Sequence, residues 1–331
     1  MIKKTEEEIS RNWNKNLPLV SIMCTTYNQE KYISQCLDGF LMQETSFPFE
    51  VIVHDDASTD KTAEIIRNYE MRYPNLIKPI YEIENQYSKH DGSLDRIIDS
   101  HLKGKYIAYC EGDDYWCDSN KLQKQFEFLE SHDDYFIVGH MTKTIDINGD
   151  EIKSFINSKP GDYTLNDSNN WQLFAHFSSY FSRNYIEIIP ADIYKEYLEI
   201  KCPGDRKMPI LFMLYGNAFV LSEVCSVYRY QSSTTSFTSN ANNRKPFKMW
   251  LEGYSLSKFA HNRGLELDFT SRQREILFWA IKDYIKGNKW DYQQILQVTN
   301  SSSIDVIKQC TDFLFYALKK RVLRRKKINE Q

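Results

Sequence analysis

Through residues 18–140 the chain alternates short apolar runs with amphipathic helical stretches. Leu19–Cys24 is an apolar run of strand length, and a helical pattern follows from about Glu30 to Met42. Phe49–Val53 is a second strand, followed by a helix with Ile65, Ile66 and Tyr69 on one face. Ile77–Ile83 is a weaker third strand and Ser93–Leu102 another helix. Lys105–Cys110 is a fourth strand, after which Ser119 is placed to cap a helix with a Leu122, Phe126, Leu129 stripe. Strand and helix in strict alternation predict an α/β fold, a mostly parallel central sheet covered by helices.

Polar clusters stand where three of these strands end: Thr25–Asn28, Asp55–Asp60 and Glu111-Gly112-Asp113-Asp114. Open parallel sheets bind ligands beyond the carboxyl ends of their strands, so the clusters are expected to share one cleft. Adjacent carboxylates repel, and a hard divalent ion neutralises them through oxygen ligands. Asp113 and Asp114 suit that role, with Glu111 supporting. Asp60 is placed to cap the helix that follows it, which leaves Asp55 and Asp56 at the strand tip. A carboxylate there can accept from a base N–H or a ribose hydroxyl.

The second half is less regular. Asn148-Gly149 within 144–152 reads as a hairpin turn. Residues 171–181 are rich in aromatics, 209–215 look helical, and 218–221 and 224–230 read as two short strands. From residue 245 onward the pattern is helical, over roughly 245–263, 270–286 and 302–321.

With these motifs assembled, residues 18–140 resemble the catalytic domain of the inverting family 2 glycosyltransferases, which have the GT-A fold. The resemblance lies in Pro18–Asn28, Val51–Asp60, Gly104–Trp116 and Lys121-Leu122-Gln123-Lys124-Gln125. It implies a Rossmann-like sheet with a helical C-terminal extension. The expected division is an N-terminal extension (1–17), a GT-A domain (18–240) and a helical region with a basic tail (241–331). Within the GT-A domain, 18–140 would bind the nucleotide sugar and 141–240 form the acceptor side.

The resemblance also assigns roles. Thr25 and Tyr27 stand where the family contacts the nucleoside, and Asp56 matches its base-reading carboxylate, most often for uracil. Asp113 matches the first acid of the metal motif, near ribose and metal, and Asp114 the direct ligand of Mn²⁺ or Mg²⁺. One more carboxylate must take the proton of the acceptor hydroxyl. Gly204-Asp205 ahead of an apolar run resembles the motif that carries this base, so Asp205 is the choice and Glu223 the runner-up. Arg229, Glu223 and His176 are candidate diphosphate or acceptor contacts. Many relatives have His two residues after the Tyr-Arg pair; this chain has Gln231. The expected partners are a nucleotide-sugar donor and a glycan or lipid-linked acceptor, in polysaccharide synthesis such as capsule or O-antigen.

Composition trims the alternatives. A net charge of −3 exerts no general pull on nucleic acid. Seven cysteines without a CxxC pair suggest reduced thiols. The polar Met1–Asn16 stretch lacks the apolar core of a signal peptide, so the expected compartment is the cytoplasm. Seven of the nine residues 319–327 are basic. Behind the apolar 313–318 they suit a helix lying on an anionic membrane. A nucleotidyltransferase or an oxidoreductase would carry a Gly-rich loop after the first strand, where this chain has Thr25-Thr26-Tyr27-Asn28. A catalytically silent carbohydrate-binding or scaffolding subunit is the reading from another class; the intact Asp56, Asp113 and Asp114 speak against it.

Overall fold

A computed structural model describes residues 4–14, 17–89, 91–154, 156–169, 173–200, 202–230 and 246–265, with 267, 276–277, 279–281 and 294. The chain divides into two compact units, residues 1–199 with 204–231, and residues 200–203 with 232–331. The first unit holds one sheet of nine strands: β1 Val20–Thr26, β2 Phe49–Asp55, β3 Ile77–Tyr81, β4 Tyr106–Glu111, β5 Tyr115–Trp116, β6 Tyr135–Ile145, β7 Gly161–Tyr163, β8 Phe181–Arg183 and β9 Asn217–Arg229. Its helices are α1 Glu6–Ser10, α2 Ile33–Leu41, α3 Thr62–Arg72, α4 Ser93–Asp99, α5 Lys121–Ser131, α6 Leu165–Asn169, α7 Tyr185–Ile188, α8 Ala191–Glu199 and α9 Gly204–Phe212. In the second unit α10 spans Pro246–His261.

The strand order is β3-β2-β1-β4-β8-β6-β9-β5, with β7 also on β9. The first four strands are mutually parallel and β6 runs parallel to β9; the short β5, β7 and β8 are antiparallel to their neighbours. This is the expected mixed α/β architecture. All seven residues of β2 are buried, as a strand covered by helices on both faces requires. Ile22, Cys24, Val51, Val53, Ala108 and Cys110 meet Ile33, Leu37 and Phe40 of α2 and Leu122 of α5 in the main core.

Three local expectations change. The two strands read at 218–221 and 224–230 are one strand, β9. Its register against β6 slips between Leu221 and Val224, where Ser222 and Glu223 bulge out and interrupt the apolar pattern. Ser119 does not cap α5: Asn120 holds the cap position without a side-chain bond. The Asp118 carboxylate turns the chain instead, accepting from Asn120 N at 2.8 Å and Lys124 Nζ at 2.7 Å. The helix read at 209–215 begins earlier, at Gly204, with Pro209 inside it. At 144–152 the expected turn forms around Asp146, whose carboxylate accepts from Asn148 N and Asp150 N, and Gly149 takes φ +90°. Most of 270–286, all of 302–321 and the basic run 319–327 lie outside the described residues. Among the described residues no helix is long and apolar enough to cross a membrane.

Candidate active site

The parallel register aligns the three polar clusters. Thr25 pairs with Glu111 on one side of β1 and Thr26 with Asp55 on the other. Because β1 lies between β2 and β4, the chain leaves the sheet at all three clusters side by side.

Backbone and side chains lace the exits together. Gly112 N donates to Thr25 O at 2.9 Å and Asp56 N to Thr26 O at 3.0 Å. Asn28 adopts φ +53° and Ala57 φ +62°, and their loops meet: Asn28 N donates to Ser58 Oγ at 2.9 Å, and Thr59 N to Asn28 Oδ1 at 2.7 Å. Lys61, without a side-chain bond, holds the cap position of α3, so Asp60 is not its cap; the Asp60 carboxylate instead accepts from Thr62 N at 2.9 Å and, across to the neighbouring loop, from Glu30 N at 3.0 Å. Gly112 is a steric requirement. A Cβ there would collide with Gln29 Oε1 and lie 2.9 Å from the Thr26 side chain.

The acidic loop presents Glu111, Asp113 and Asp114, each with an oxygen within 4.8 Å of the others. Glu111 is exposed, Asp113 partly so, and Asp114 only 1%. Protein crowded around Glu111, with the Asp113 and Asp205 carboxylates, pushes its pKa up to about 8. Burial likewise raises Asp113, against the opposing pull of Arg229 and a hydrogen bond from Gln29. Burial and both neighbouring acids hold Asp114 well above the usual carboxylate range. A group of crowded carboxyls is relieved by a cation, and an all-oxygen donor set fits a hard divalent one. Asp114 is the most committed of the three. Its Oδ1 accepts from Arg229 N at 2.9 Å and its Oδ2 lies 3.5 Å from His176 Nδ1.

Asp56 is also committed. It is buried, and its two oxygens accept from Gln86 N at 2.6 Å and Tyr87 N at 3.0 Å. It thereby anchors the loop after β3, and each oxygen keeps a second acceptor site. Tyr27 is 47% and Tyr87 53% exposed beside it. The Arg229 guanidinium binds Asp113 O and Gln35 Oε1 and lies between the rings of Tyr32 (5.0 Å) and Tyr115 (4.6 Å). It braces the acidic loop from behind. His176 packs at a tilt against Tyr228, ring centres 4.3 Å apart, and meets Ser178 Oγ at 2.8 Å; burial pushes its pKa down to about 3, which favours the neutral ring.

The two base candidates separate. Asp205, in the first turn of α9, acts electrostatically on Glu111, and its buried Oδ1 has no hydrogen-bond partner among the described residues. Burial raises its pKa, against the opposing pull of Arg206. Glu223 lies in the exposed bulge of β9, six residues before Arg229, or roughly 20 Å along a strand. It influences Lys124 rather than the acidic loop. Gln231 lies outside the described residues. Sequence reasoning missed Gln29, Tyr87 and Tyr180. Gln29 follows the first cluster directly, but the weak third strand gave no signal for Tyr87.

A family model described as "Glycosyl transferase family 2" matches residues 21–187. An uncharacterized protein of Mycobacterium bovis, Mb1547, is 31% identical over 272 residues, 80% of this chain and 73% of the relative. Two solved structures share the fold. Staphylococcus aureus TarS 1-349 in complex with UDP-GlcNAc matches with a TM-score of 0.55 at 20% identity, over 78% of this chain and 71% of that one. The mannosyltransferase PcManGT of Pyrobaculum calidifontis, in complex with GDP-Man and Mn²⁺, matches with a TM-score of 0.52 at 14% identity, over 95% and 87%.

Proposed function

Because this chain belongs to glycosyl transferase family 2 and is a glycosyltransferase, we propose that it moves a sugar from a nucleotide-diphosphate donor to an acceptor hydroxyl with inversion. The observation that carries the reading is the placement of Asp205. An acid on α9, outside the parallel strands, whose Oδ1 lacks any described partner stands within electrostatic reach of Glu111.

Each group then has a task. Asp56 accepts from the base of the donor, with UDP sugars the first class to test. Thr25 and Tyr27 line the nucleoside side. Glu111 and Asp113 from the cleft, and Asp114 from beneath, would hold Mn²⁺ or Mg²⁺. Such an ion offsets negative charge on the departing nucleotide diphosphate. Asp205 takes the acceptor hydroxyl proton, and direct in-line attack needs no covalent enzyme intermediate. Arg229 keeps the Asp113 carbonyl and the Asp114 carboxylate in place.

Bacterial cell-surface polysaccharide is the setting that the sequence resemblance supports, with a glycan or lipid-linked acceptor. The basic run 319–327 would hold the enzyme to an anionic leaflet. A panel of UDP- and GDP-sugars, assayed for nucleotide release with Mn²⁺ or with EDTA, tests the reaction. Release from no donor, or full activity of Asp113→Asn in EDTA, refutes the metal-assisted reading.

A further inference from the structure

Asp205 is the second residue of α9, and its carbonyl oxygen should accept from the N–H of residue 209. Residue 209 is proline, which has no N–H to give. The helix therefore leaves one carbonyl unpaired at the residue assigned as the base. The Tyr180 hydroxyl fills the gap, donating to Asp205 O at 2.8 Å.

Tyr180 is itself held to the strand that carries the acidic loop. Its carbonyl accepts from Tyr109 N of β4 at 3.1 Å, two residues before Glu111. Its ring is fully buried and wedged against Phe174 at 5.2 Å and Phe177 at 5.6 Å. A continuous path of hydrogen bonds thus runs from β4, through Tyr180, to the first turn of α9.

We propose that Tyr180 is a positioning residue for Asp205: with Pro209 withholding the helix's own donor, the Tyr180 hydroxyl sets where the Asp205 carboxylate sits relative to Glu111. This rests on the reading of Asp205 as the base. A helix that bonded its own carbonyl would fix Asp205 relative to α9 alone. A helix that borrows the bond from Tyr180 fixes it relative to the metal-loop strand. The pairing of an unpaired helical carbonyl with a tyrosine from another element is a cross-brace between the two halves of the reaction centre.

The geometry provides its own double-variant experiment. In Tyr180→Phe the Asp205 carbonyl loses its donor, and in Pro209→Ala the helix regains one. With the donor that gives release in the panel above, saturating and with Mn²⁺, kcat of Tyr180→Phe should fall about tenfold, the worth of one well-placed hydrogen bond. Affinity for UDP, measured by calorimetry, should stay within about twofold. Pro209→Ala alone should keep a near-parental kcat, because the Asp205 carbonyl can keep the Tyr180 bond beside the new one, whereas the double variant should regain stability but stay about tenfold down in kcat, its bond tying Asp205 to α9 alone. A tyrosine that merely satisfied the carbonyl would be replaced in turnover by the amide supplied at residue 209, 29 positions away.

Asp205→Asn separates the two readings. If it is inactive while Tyr180→Phe turns over at the parental rate, the base stands and the positioning role is overturned. If Asp205→Asn keeps the parental rate, both fall. A double variant restored to within about twofold of the parental kcat also overturns the proposal. Should Tyr180→Phe fail to fold, a soluble double variant about tenfold down in kcat supports the brace, and an insoluble one or one with near-parental kcat overturns it.

Discussion

Replacing Lys121 with methionine should make this protein more stable at neutral pH and flatten its stability between pH 7 and 9. Lys121 opens α5 and is fully buried, and its Nζ has no hydrogen-bond partner among the described residues. Its ammonium lies 3.8 Å from the centre of the Trp116 ring, with Cys110 and Cys225 exerting a small opposing pull. Burial pushes its pKa down to about 7 from an ordinary 10.5. At about 1.4 kcal/mol per pH unit, keeping this lysine inside costs a few kcal/mol near pH 7. Contact with Trp116 returns about 0.5–2 kcal/mol of that. Methionine fills similar space without a charge, so Lys121→Met should gain about 1–3 kcal/mol at pH 7.

The pH dependence has a definite sign. Between pH 7 and 10.5 the unfolded chain carries the Lys121 proton and the folded one does not. Raising the pH therefore removes the penalty, and parental stability should climb by about 1 kcal/mol per unit from this residue. The variant lacks that climb, so the gap between the two proteins should narrow from pH 7 to pH 9. Urea unfolding followed by tryptophan fluorescence at the two pH values reads both effects. A Lys121→Met protein less stable than the parent by 1 kcal/mol or more at pH 7, or a gap that widens with pH, refutes the reasoning.

Asp113→Asn and Glu111→Gln should each weaken Mn²⁺ binding, followed by electron paramagnetic resonance, by more than about 100-fold, because even groups beyond the ligands are worth 10–100-fold. Unchanged affinity in both would exclude this loop as the metal site. Ala57 holds φ +62°, so Ala57→Gly should raise the urea midpoint by the equivalent of about 0.5–1 kcal/mol; a fall would show the loop is not strained there. Gly112→Ala should lose about 1–3 kcal/mol and displace the acidic loop from Thr26 and Gln29, read as lower stability together with weaker Mn²⁺ binding.

The parallel half of this architecture was legible because its strands are buried on both faces and so read as unbroken apolar runs, as in β2. The clusters at Thr25, Asp55 and Glu111 could be placed together because strand ends in such a sheet are neighbours. The errors came where local chemistry is ambiguous. Ser119 and Asp118 are both good turn formers, and only tertiary placement decides that Asp118 makes the bonds. The break at Ser222-Glu223 looks like a loop in a one-dimensional pattern, whereas pairing to β6 carries the strand through it. Asp205 was readable as a polar residue at a helix start. That Tyr180 holds it was not, since the pair is 25 positions apart and linked by a carbonyl with no signature of its own. His176 likewise gives no sign in sequence that it meets Asp114.

The buried bonds of Asp56 to Gln86 N and Tyr87 N carry an implication for how donor preference can change. The carboxylate assigned to the nucleobase is also the template on which the neighbouring loop is built. With Asp56 reading the base as proposed, base reading and loop shape share one side chain and cannot drift independently. A lineage shifting from one nucleobase to another by replacing Asp56 would at the same step release the loop that Asp56 anchors after β3. Two amide donors would be left there to be satisfied by the new residue or by water. Grafting a different donor preference onto this scaffold calls for exchanging residue 56 and the 82–89 loop as one cassette.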